Sequence, residues 1–444
     1  MNDTQRDGTR RPLVEDYLGT RARVYGTEQA ILVAVVESGD GASVLDELAA
    51  LADTAGVPTL ATVVQKRARP DGATFVGKGK LEEVRAAADE VGADVAIFSD
   101  DLTPSQARNL EEGLAIKVID RTQLILDIFA QRAATKESKL QVELAQLRYL
   151  LPRLRGWGQA LTRAGAGIGT RGPGETKLEI DREKIRRRIH AIERRLREAT
   201  GERAVRRKRR ETGEVPQVVL VGYTNSGKST LLTRLAGAET LIEDRLFATL
   251  DTLVRRTSVA LGREVLLVDS VGFIRDLPHQ LIPAFGATLE AVRAADLLLH
   301  VVDVARASWS EDYRSVIGTL EEQVFARGSE RPPILNVLNK IDAVPPGAVP
   351  NLEGVAISAR EGIHLETLRE RIANLVFPDD REAELLVPYT VSAGWPGLWD
   401  GKRVVVVEHG ERGTVVRGRF SASELEAATA RGAELRLLPA SAEE

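Results

Sequence analysis

The sequence predicts an α/β protein with a long helical hairpin in its middle and a small α+β appendix at its end. Three observations predict it. Short apolar runs rich in β-branched residues alternate with helix-like stretches before residue 133 and again after residue 213. Between these regions, Leu and Ile recur at helical spacing on two stretches separated by a glycine-rich break. In the second α/β region the apolar runs feed glycine- or Asp/Asn-containing loops, the pattern of an open, mostly parallel sheet with helices on both faces.

In order along the chain, residues 1–26 are polar and without periodicity, which predicts a flexible tail. The start, MNDTQRDGTRRPLVEDY, lacks the apolar core of a signal peptide. Residues 27–133 hold the runs ILVAVV, TLATVV and ADVAIF, interleaved with SVLDELAALADTAG and GKLEEVRAAADEVG, and predict a small α/β subdomain. Residues 134–212 predict the hairpin. Leu140, Leu144, Leu147 and Leu151 form one seam, ending near Pro152, and Leu178, Ile185, Ile189, Ile192 and Leu196 form the other. RRKRRETGEVP (206–216) reads as a linker. Residues 213–378 repeat strand, loop and helix, with strands at QVVLVG, REVLLVDS, LLLHVVDV and PILNVLNK. Residues 383–444 read as a small α+β domain.

The 444 residues suffice for several domains. The net charge of −4 does not by itself announce a nucleic-acid partner, so any such signal must be local. The absence of cysteine excludes disulfides, thiolate metal sites and a Cys nucleophile. No apolar run approaches membrane-spanning length, and a soluble, cytoplasmic protein is the expectation, with peripheral membrane association as the alternative.

The chemistry starts at GYTNSGKS. It follows an apolar strand and precedes the helix-like STLLTRLAG, the context that a phosphate loop needs. Gly222 and Gly227 allow the tight turn that aims N–H groups at phosphate oxygens, around Tyr223, Thr224, Asn225 and Ser226. Lys228 is the cation for the β- and γ-phosphates and Ser229 a Mg²⁺ ligand, with Thr230 beside it on a helix whose positive end faces the anion. DSVG supplies Asp269, a Mg²⁺ ligand through water, then Ser270, Val271 and Gly272, whose N–H suits the γ-phosphate. NKID supplies Asn339, Lys340, Ile341 and Asp342. A carboxylate accepting two N–H bonds from a guanine edge makes Asp342 the selector of guanine over adenine. Ser358, Ala359 and Arg360 lie where a backbone N–H meets the guanine oxygen. In this order the motifs predict a P-loop GTPase domain that binds GTP and GDP.

A second stretch, GTRGPGET (169–176), has phosphate-loop spacing but not its chemistry. Glu175 stands where the cation belongs, and Pro173 removes an N–H. From the residues alone it is either a helix-connecting turn or an RNA-contacting tip, with Arg163 and Arg171 as candidate phosphate contacts. The helix after it carries 14 Arg or Lys against four Glu between Arg182 and Arg210. That excess favours a polyanion over a merely solvated face, and Arg206, Arg207, Lys208, Arg209 and Arg210 are its densest run.

GYTNSGKST, DSVGF and NKID, with VIDRTQLILDIFAQRA, KLQVELAQL, GIGTRGPGET, LFATLD and FIRDLPHQL, resemble the HflX family of translation-factor-related GTPases over most of residues 27–377. The C-terminal segment resembles it less. The resemblance implies a partner-stimulated GTPase, expected as a monomer, that binds the large ribosomal subunit and its RNA and dissociates or rescues stalled ribosomes. It implies that Phe247, Ala248, Thr249, Leu250 and Asp251 line the nucleotide, with Thr249 rather than Thr252 on Mg²⁺. It also tips the GTRGPGET loop toward ribosomal RNA. Many GTPases carry Gln after the switch glycine to orient water; here it is Phe273, so intrinsic hydrolysis should be slow. His279 and Gln280 are substitutes in sequence only. His300 is expected to be a satisfied sheet residue, and Trp395 and Trp399 packing residues. The alternatives are a GTP-dependent switch for a protein or membrane partner, and, disfavoured by the lack of cysteine, an RNA-modifying GTPase.

Overall fold

The computed structural model describes residues 28–39, 41–154, 173–210, 215–237, 246–247, 253–260, 263–275, 281, 285–325, 331–345, 347–392 and 404–437. The chain divides into two compact units, residues 1–206 with 278–286, and residues 207–277 with 287–444.

The first unit opens with β1 (Ala30–Val36), α1 (Ala42–Ala55), β2 (Thr59–Lys66), α2 (Lys78–Val91), β3 (Val95–Phe98), α3 (Pro104–Leu114) and β4 (Lys117–Asp120). The strands pair in parallel in the order β2-β1-β3-β4. Each crossover is a helix, as parallel pairing requires. Local signals fix the helix ends. Gly56 and Gly92 close α1 and α2 in the left-handed region. Thr103 and Gln106 form a capping box on α3 with Pro104 in its first turn.

Helices α4 (Arg121–Arg132), α5 (Lys136–Arg153) and α6 (Pro173–Arg210) follow. Pro152 falls inside the last turn of α5 rather than beyond it. Most of the predicted seam enters the α5–α6 core: Leu144 and Leu147, joined by Leu154, pack with Ile185, Ile189 and Ile192, with Leu140, Leu151 and Leu196 partly buried against them, while the Leu178 side chain lies outside the described residues. Arg188 forks onto Glu143 at 2.6 and 2.8 Å, and Arg148 reaches Glu193 at 2.6 Å. Part of the basic character of the hairpin is therefore neutralised within it. Pro173 is the first residue of α6, a place where its missing N–H costs nothing. Residues 206–210, expected in a linker, are helical, because that arginine run carries no Gly or Pro to stop the helix.

One buried carboxylate ties α5 to the end of β4. Asp120 accepts from Tyr149 Oη (2.7 Å), Arg153 Nη2 (2.6 Å), Gln123 N (2.9 Å) and Leu102 N (3.1 Å). Burial pushes its carboxyl above the usual range, and Arg153 opposes that rise. Tyr149→Phe keeps the ring under the Arg153 guanidinium but removes one bond to this carboxylate. It should lower stability of the full chain by about 1.5–3 kcal/mol in urea unfolding, the worth of a hydrogen bond to a charged group.

The second unit holds β5 (Gln217–Gly222), α7 (Lys228–Ala236), β6 (Leu253–Ser258) and β7 (Glu264–Asp269). Helix α8 (Gly286–Arg293), β8 (Leu297–Asp303), α9 (Trp309–Thr319), β9 (Ile334–Asn339), β10 (Val355–Ala356) and α10 (Leu365–Val376) follow. The sheet order is β10-β9-β8-β5-β7-β6, parallel except for the β6–β7 pair. Strand order reverses beside β5, so the crevice at its carboxyl end is the place for a ligand. Residues 278–286 lie inside the span 213–378 but cluster with the first unit. There Phe285 is fully buried and meets Phe129 edge-on at 5.4 Å.

Strands β11 (Arg381–Pro388), β12 (Val404–His409), β13 (Gly413–Phe420) and β14 (Glu434–Leu437) form an antiparallel sheet, order β12-β13-β11-β14, carrying α11 (Ala422–Ala430). Arg263, ahead of β7, bonds Asp380 at 2.5 Å and Glu424 of α11 at 2.7 Å.

Candidate functional site

The loop after β5 turns on two glycines. A Cβ at Gly222 would lie 2.4 Å from the Val301 carbonyl oxygen, and one at Gly227 (φ 92°) 2.3 Å from Asn339 Nδ2. Neither position can carry a side chain without moving backbone or a bonded amide. Asn225 between them is left-handed (φ 61°). The loop therefore closes tightly and delivers Lys228 and Ser229 to the first turn of α7.

Lys228 is buried, and its Nζ donates to the carbonyls of Gly222 (3.1 Å) and Tyr223 (2.7 Å). Burial pulls its ammonium down to about 8; Asp269 opposes that and Lys340 adds to it. Thr224 Oγ1 and Ser226 Oγ are buried beside it without hydrogen-bond partners among the described residues. A cation and unsatisfied hydroxyls at a helix N-terminus are the donors an anion needs.

Across the loop, Ser229 Oγ donates to Asp269 Oδ2 at 2.7 Å. A hydroxyl and a carboxylate this close are hard oxygen donors of the kind Mg²⁺ takes together with water, so the residues fit that ion. Gly272 presses on the loop from the end of β7: a Cβ there would lie 2.8 Å from Thr224 Cα and 3.1 Å from Lys228 Nζ. Phe273 is fully buried and joins the loop by backbone alone, its N–H on the Gly222 carbonyl (3.0 Å) and its carbonyl on the Thr224 N–H (2.8 Å).

The third motif braces the first. Asn339 Nδ2 donates to the Ser226 carbonyl (2.8 Å), and Asn339 Oδ1 accepts from the Ala359 N–H (3.0 Å). Lys340, left-handed at φ 69°, reaches the Asn225 carbonyl at 3.0 Å. Asp342 sits exposed in the turn Ile341–Ala343. Ser358 is buried, its Oγ accepting from the Glu361 N–H, while the Arg360 side chain points into solvent.

Residues far apart in sequence thus converge at the carboxyl ends of β5, β7, β9 and β10: 222–230, 269–272, 339–342 and 358–360. Phe247 is buried and left-handed (φ 54°). Ala248, Thr249, Leu250, Asp251, Thr252, Arg163, Arg171, His279, Gln280, Trp395 and Trp399 lie outside the described residues, and α6 is described at 206–210 only as backbone.

Two features were not read from the sequence. Asp303, at the end of β8, pairs with Lys340 at 2.7 Å; a carboxylate closing the apolar run LLLHVVD was the available signal. His300, expected to be satisfied, is buried, stacked on Tyr313 (4.8 Å) and hydrogen-bonded to the Asn336 side chain, while its Nδ1 has no hydrogen-bond partner among the described residues. Burial, with Lys228 nearby, pulls its imidazolium down to about 3, so it is neutral. It lines a pocket beside the loop with Tyr223, Thr224, Asp303 and Arg306.

Known proteins resemble this chain in sequence. Residues 42–130 match a family described as GTP-binding GTPase N-terminal, residues 132–210 one described as GTP-binding GTPase middle region, and residues 217–340 one described as 50S ribosome-binding GTPase. The GTPase HflX of Caldanaerobacter subterraneus subsp. tengcongensis is 47% identical over 397 residues, 89% of this chain and 91% of that protein. The GTPase HflX of Escherichia coli is 49% identical over 317 residues, 71% of this chain and 73% of that one. A GTP-binding protein from Sulfolobus solfataricus, solved with GDP, is 25% identical, covering 79% of this chain and 99% of that one at a TM-score of 0.43. With sequence identity of this degree over most of its length, the chain belongs to the HflX family of GTPases.

Proposed function

We propose that this chain binds GTP at residues 222–230, hydrolyses it to GDP and phosphate with Mg²⁺, and does so on the large ribosomal subunit, where it dissociates or rescues stalled ribosomes. The observation that carries the nucleotide reading is the convergence at one sheet edge of a buried Lys228, the Ser229–Asp269 pair and the Asn339–Lys340 brace. Lys228 and the loop N–H groups neutralise the β- and γ-phosphates. Ser229, Asp269 through water, and Thr249 would hold Mg²⁺, which would supply charge neutralisation at the transferring phosphoryl group. Asp342 accepts the guanine N–H groups, and the backbone at Ser358 and Ala359 faces the guanine oxygen. Phe247 to Asp251 complete the set of residues proposed to contact the nucleotide. GTP orders this segment through Thr249 and the next through Gly272, and hydrolysis releases both.

The ribosomal reading rests on the family description over residues 217–340 and on the basic character of α6. In this reading residues 27–133 form an N-terminal α/β subdomain and 134–212 an RNA-facing hairpin. Residues 213–378 are the GTPase domain and 383–444 a C-terminal domain. Arg163, Arg171 and the cations at 206–210 contact RNA phosphates. The protein acts as a monomer in the cytoplasm. Among the described residues no helix is long and apolar enough to cross a membrane.

Steady-state GTP hydrolysis, alone and with purified large ribosomal subunits, tests this. The expected result is strong stimulation that falls when Arg163 and Arg171, or the 206–210 cations, are neutralised, and that weakens with rising salt. Tight GTP binding without stimulation would turn the reading to a regulatory switch for a protein or membrane partner.

A further inference from the structure

Phe273 stands where a water-orienting side chain is common, and it is packed away from solvent. Hydrolysis then depends on where the backbone of residues 272–275 stands, because no side chain at 273 can correct its placement. Two of its anchors are the backbone bonds of Phe273 to the phosphate loop. The third is Arg275. Its N–H donates to Tyr223 Oη at 3.1 Å, so a tyrosine of the phosphate loop itself holds the segment. Its guanidinium reaches Asp312 Oδ1 through Nε (3.1 Å) and Nη2 (2.9 Å), and Glu311 through Nη1 (2.9 Å), both in the first turn of α9.

Asp312 is more than nine-tenths buried, so its charge needs these partners. Arg306 supports the far side, 3.5 Å from Asp312 Oδ2, with its guanidinium 5.3 Å over the Tyr223 ring. The cluster joins the loop, the segment after Gly272 and α9 through fixed, half-desolvated charge pairs. A planar guanidinium forked on a buried carboxylate fixes orientation as well as distance. Gly272 is three residues before Arg275 on the same segment and borders Lys228.

We propose that Arg275, clamped by Asp312 and Glu311 and bonded to the Tyr223 hydroxyl, is a positioning residue for GTP hydrolysis that sets the segment carrying Gly272 over the γ-phosphate. This deepens the GTPase reading and rests on residues 222–229 being the phosphate loop. The clamp acts on the transition state more than on ground-state binding, because Lys228 and the loop N–H groups hold the nucleotide whether or not the segment is aligned. A small misplacement of an aligned group costs on the order of 10- to 100-fold in rate.

The test measures single-turnover GTP hydrolysis and GTP affinity for the full chain and for Arg275→Ala, Arg275→Lys, Asp312→Asn and the Arg275→Ala/Asp312→Asn double variant, with Lys228→Ala alongside. The expected result is hydrolysis slowed about 10-fold or more in Arg275→Ala and Asp312→Asn, with GTP affinity within about threefold of the parent. The double variant should be no slower than the worse single, since both remove one interaction. Arg275→Lys should recover part of the rate, as the charge survives without the fork. Unchanged hydrolysis in Arg275→Ala with GTP bound normally would overturn the proposal. So would rate and affinity falling together with the melting temperature, the mark of a merely structural pair. Asp312→Asn preserves shape, and the partly exposed Arg275 gives a second route should that buried position fail to fold. Failure of the phosphate-loop reading would appear separately, as undiminished GTP affinity in Lys228→Ala.

Discussion

Lys228→Ala should weaken GTP binding by on the order of 10²- to 10³-fold while leaving the protein folded. The lysine is the buried cation of the loop, held by two backbone carbonyls at 2.7 and 3.1 Å and placed at the start of α7. Its neighbours do not neutralise it fully: Asp269 is opposed by Lys340, and burial has already lowered its ammonium to about 8. A dianionic phosphate entering this pocket therefore meets a cation desolvated beforehand, the condition under which a charge-assisted bond is strongest. Truncating one member of a buried charge pair costs about 2–5 kcal/mol of binding, which brackets the expected loss. The carbonyls of Gly222 and Tyr223 lose a donor in the variant, so a melting curve should accompany fluorescence titration with a labelled GTP analogue. Retained affinity in a folded variant would remove the phosphate-loop assignment, and with it the roles given to Ser229 and Asp269.

What could be read from the sequence was whatever is coded locally. The turn GYTNSGKS declares itself because only glycine tolerates the contacts at 222 and 227, and because strand and helix patterns flank it. The Leu and Ile seam of the hairpin is likewise a local period, and the α5–α6 core uses most of the residues that the spacing names. Contacts set by strand register were not legible. Asp303 meets Lys340 because β8 and β9 pair Asp303 with Asn339, and nothing in either segment alone specifies that alignment. Arg275, Asp312 and Tyr223 come from three separate segments, and each reads singly as an ordinary surface or loop residue. The clustering of residues 278–286 with the first unit is of the same kind: Leu281 and Phe285 advertise burial, but not which core receives them. The helix through Arg210 differs in origin. The run is legible as charge, and its lack of Gly and Pro lets the helix continue through it.

Asp342→Asn should reverse base preference, lowering affinity for GTP by about 100-fold or more and raising it for xanthosine triphosphate. The reason is donor and acceptor matching. A guanine edge offers two N–H groups, at N1 and the exocyclic amine, and a carboxylate accepts both in a charge-assisted fork. Xanthine keeps the N1 hydrogen but carries an oxygen in place of the amine. Against Asp342 that oxygen is repelled, whereas against an amide it accepts from the NH₂ group while the amide oxygen takes the N1 hydrogen. Sites built to pair with a specific polar edge reject the mismatched one by large factors, because the mismatch leaves buried groups unpaired. The position suits such a test. Asn339 and Lys340 are bonded to the phosphate loop, so substituting them would disturb the loop itself. Asp342 is exposed in its turn and has no hydrogen-bond or ion-pair partner among the described residues, so the isosteric change should leave the fold intact. Competition titrations with GTP, xanthosine triphosphate and ATP against one labelled nucleotide would measure all three preferences together. Preserved GTP selectivity in the variant would mean that another group reads the base, and the contacts around Ser358 and Ala359 would be the next to examine. A joint loss of GTP and xanthosine binding would instead mean that Asp342 shapes the turn Ile341–Ala343 rather than reading the base.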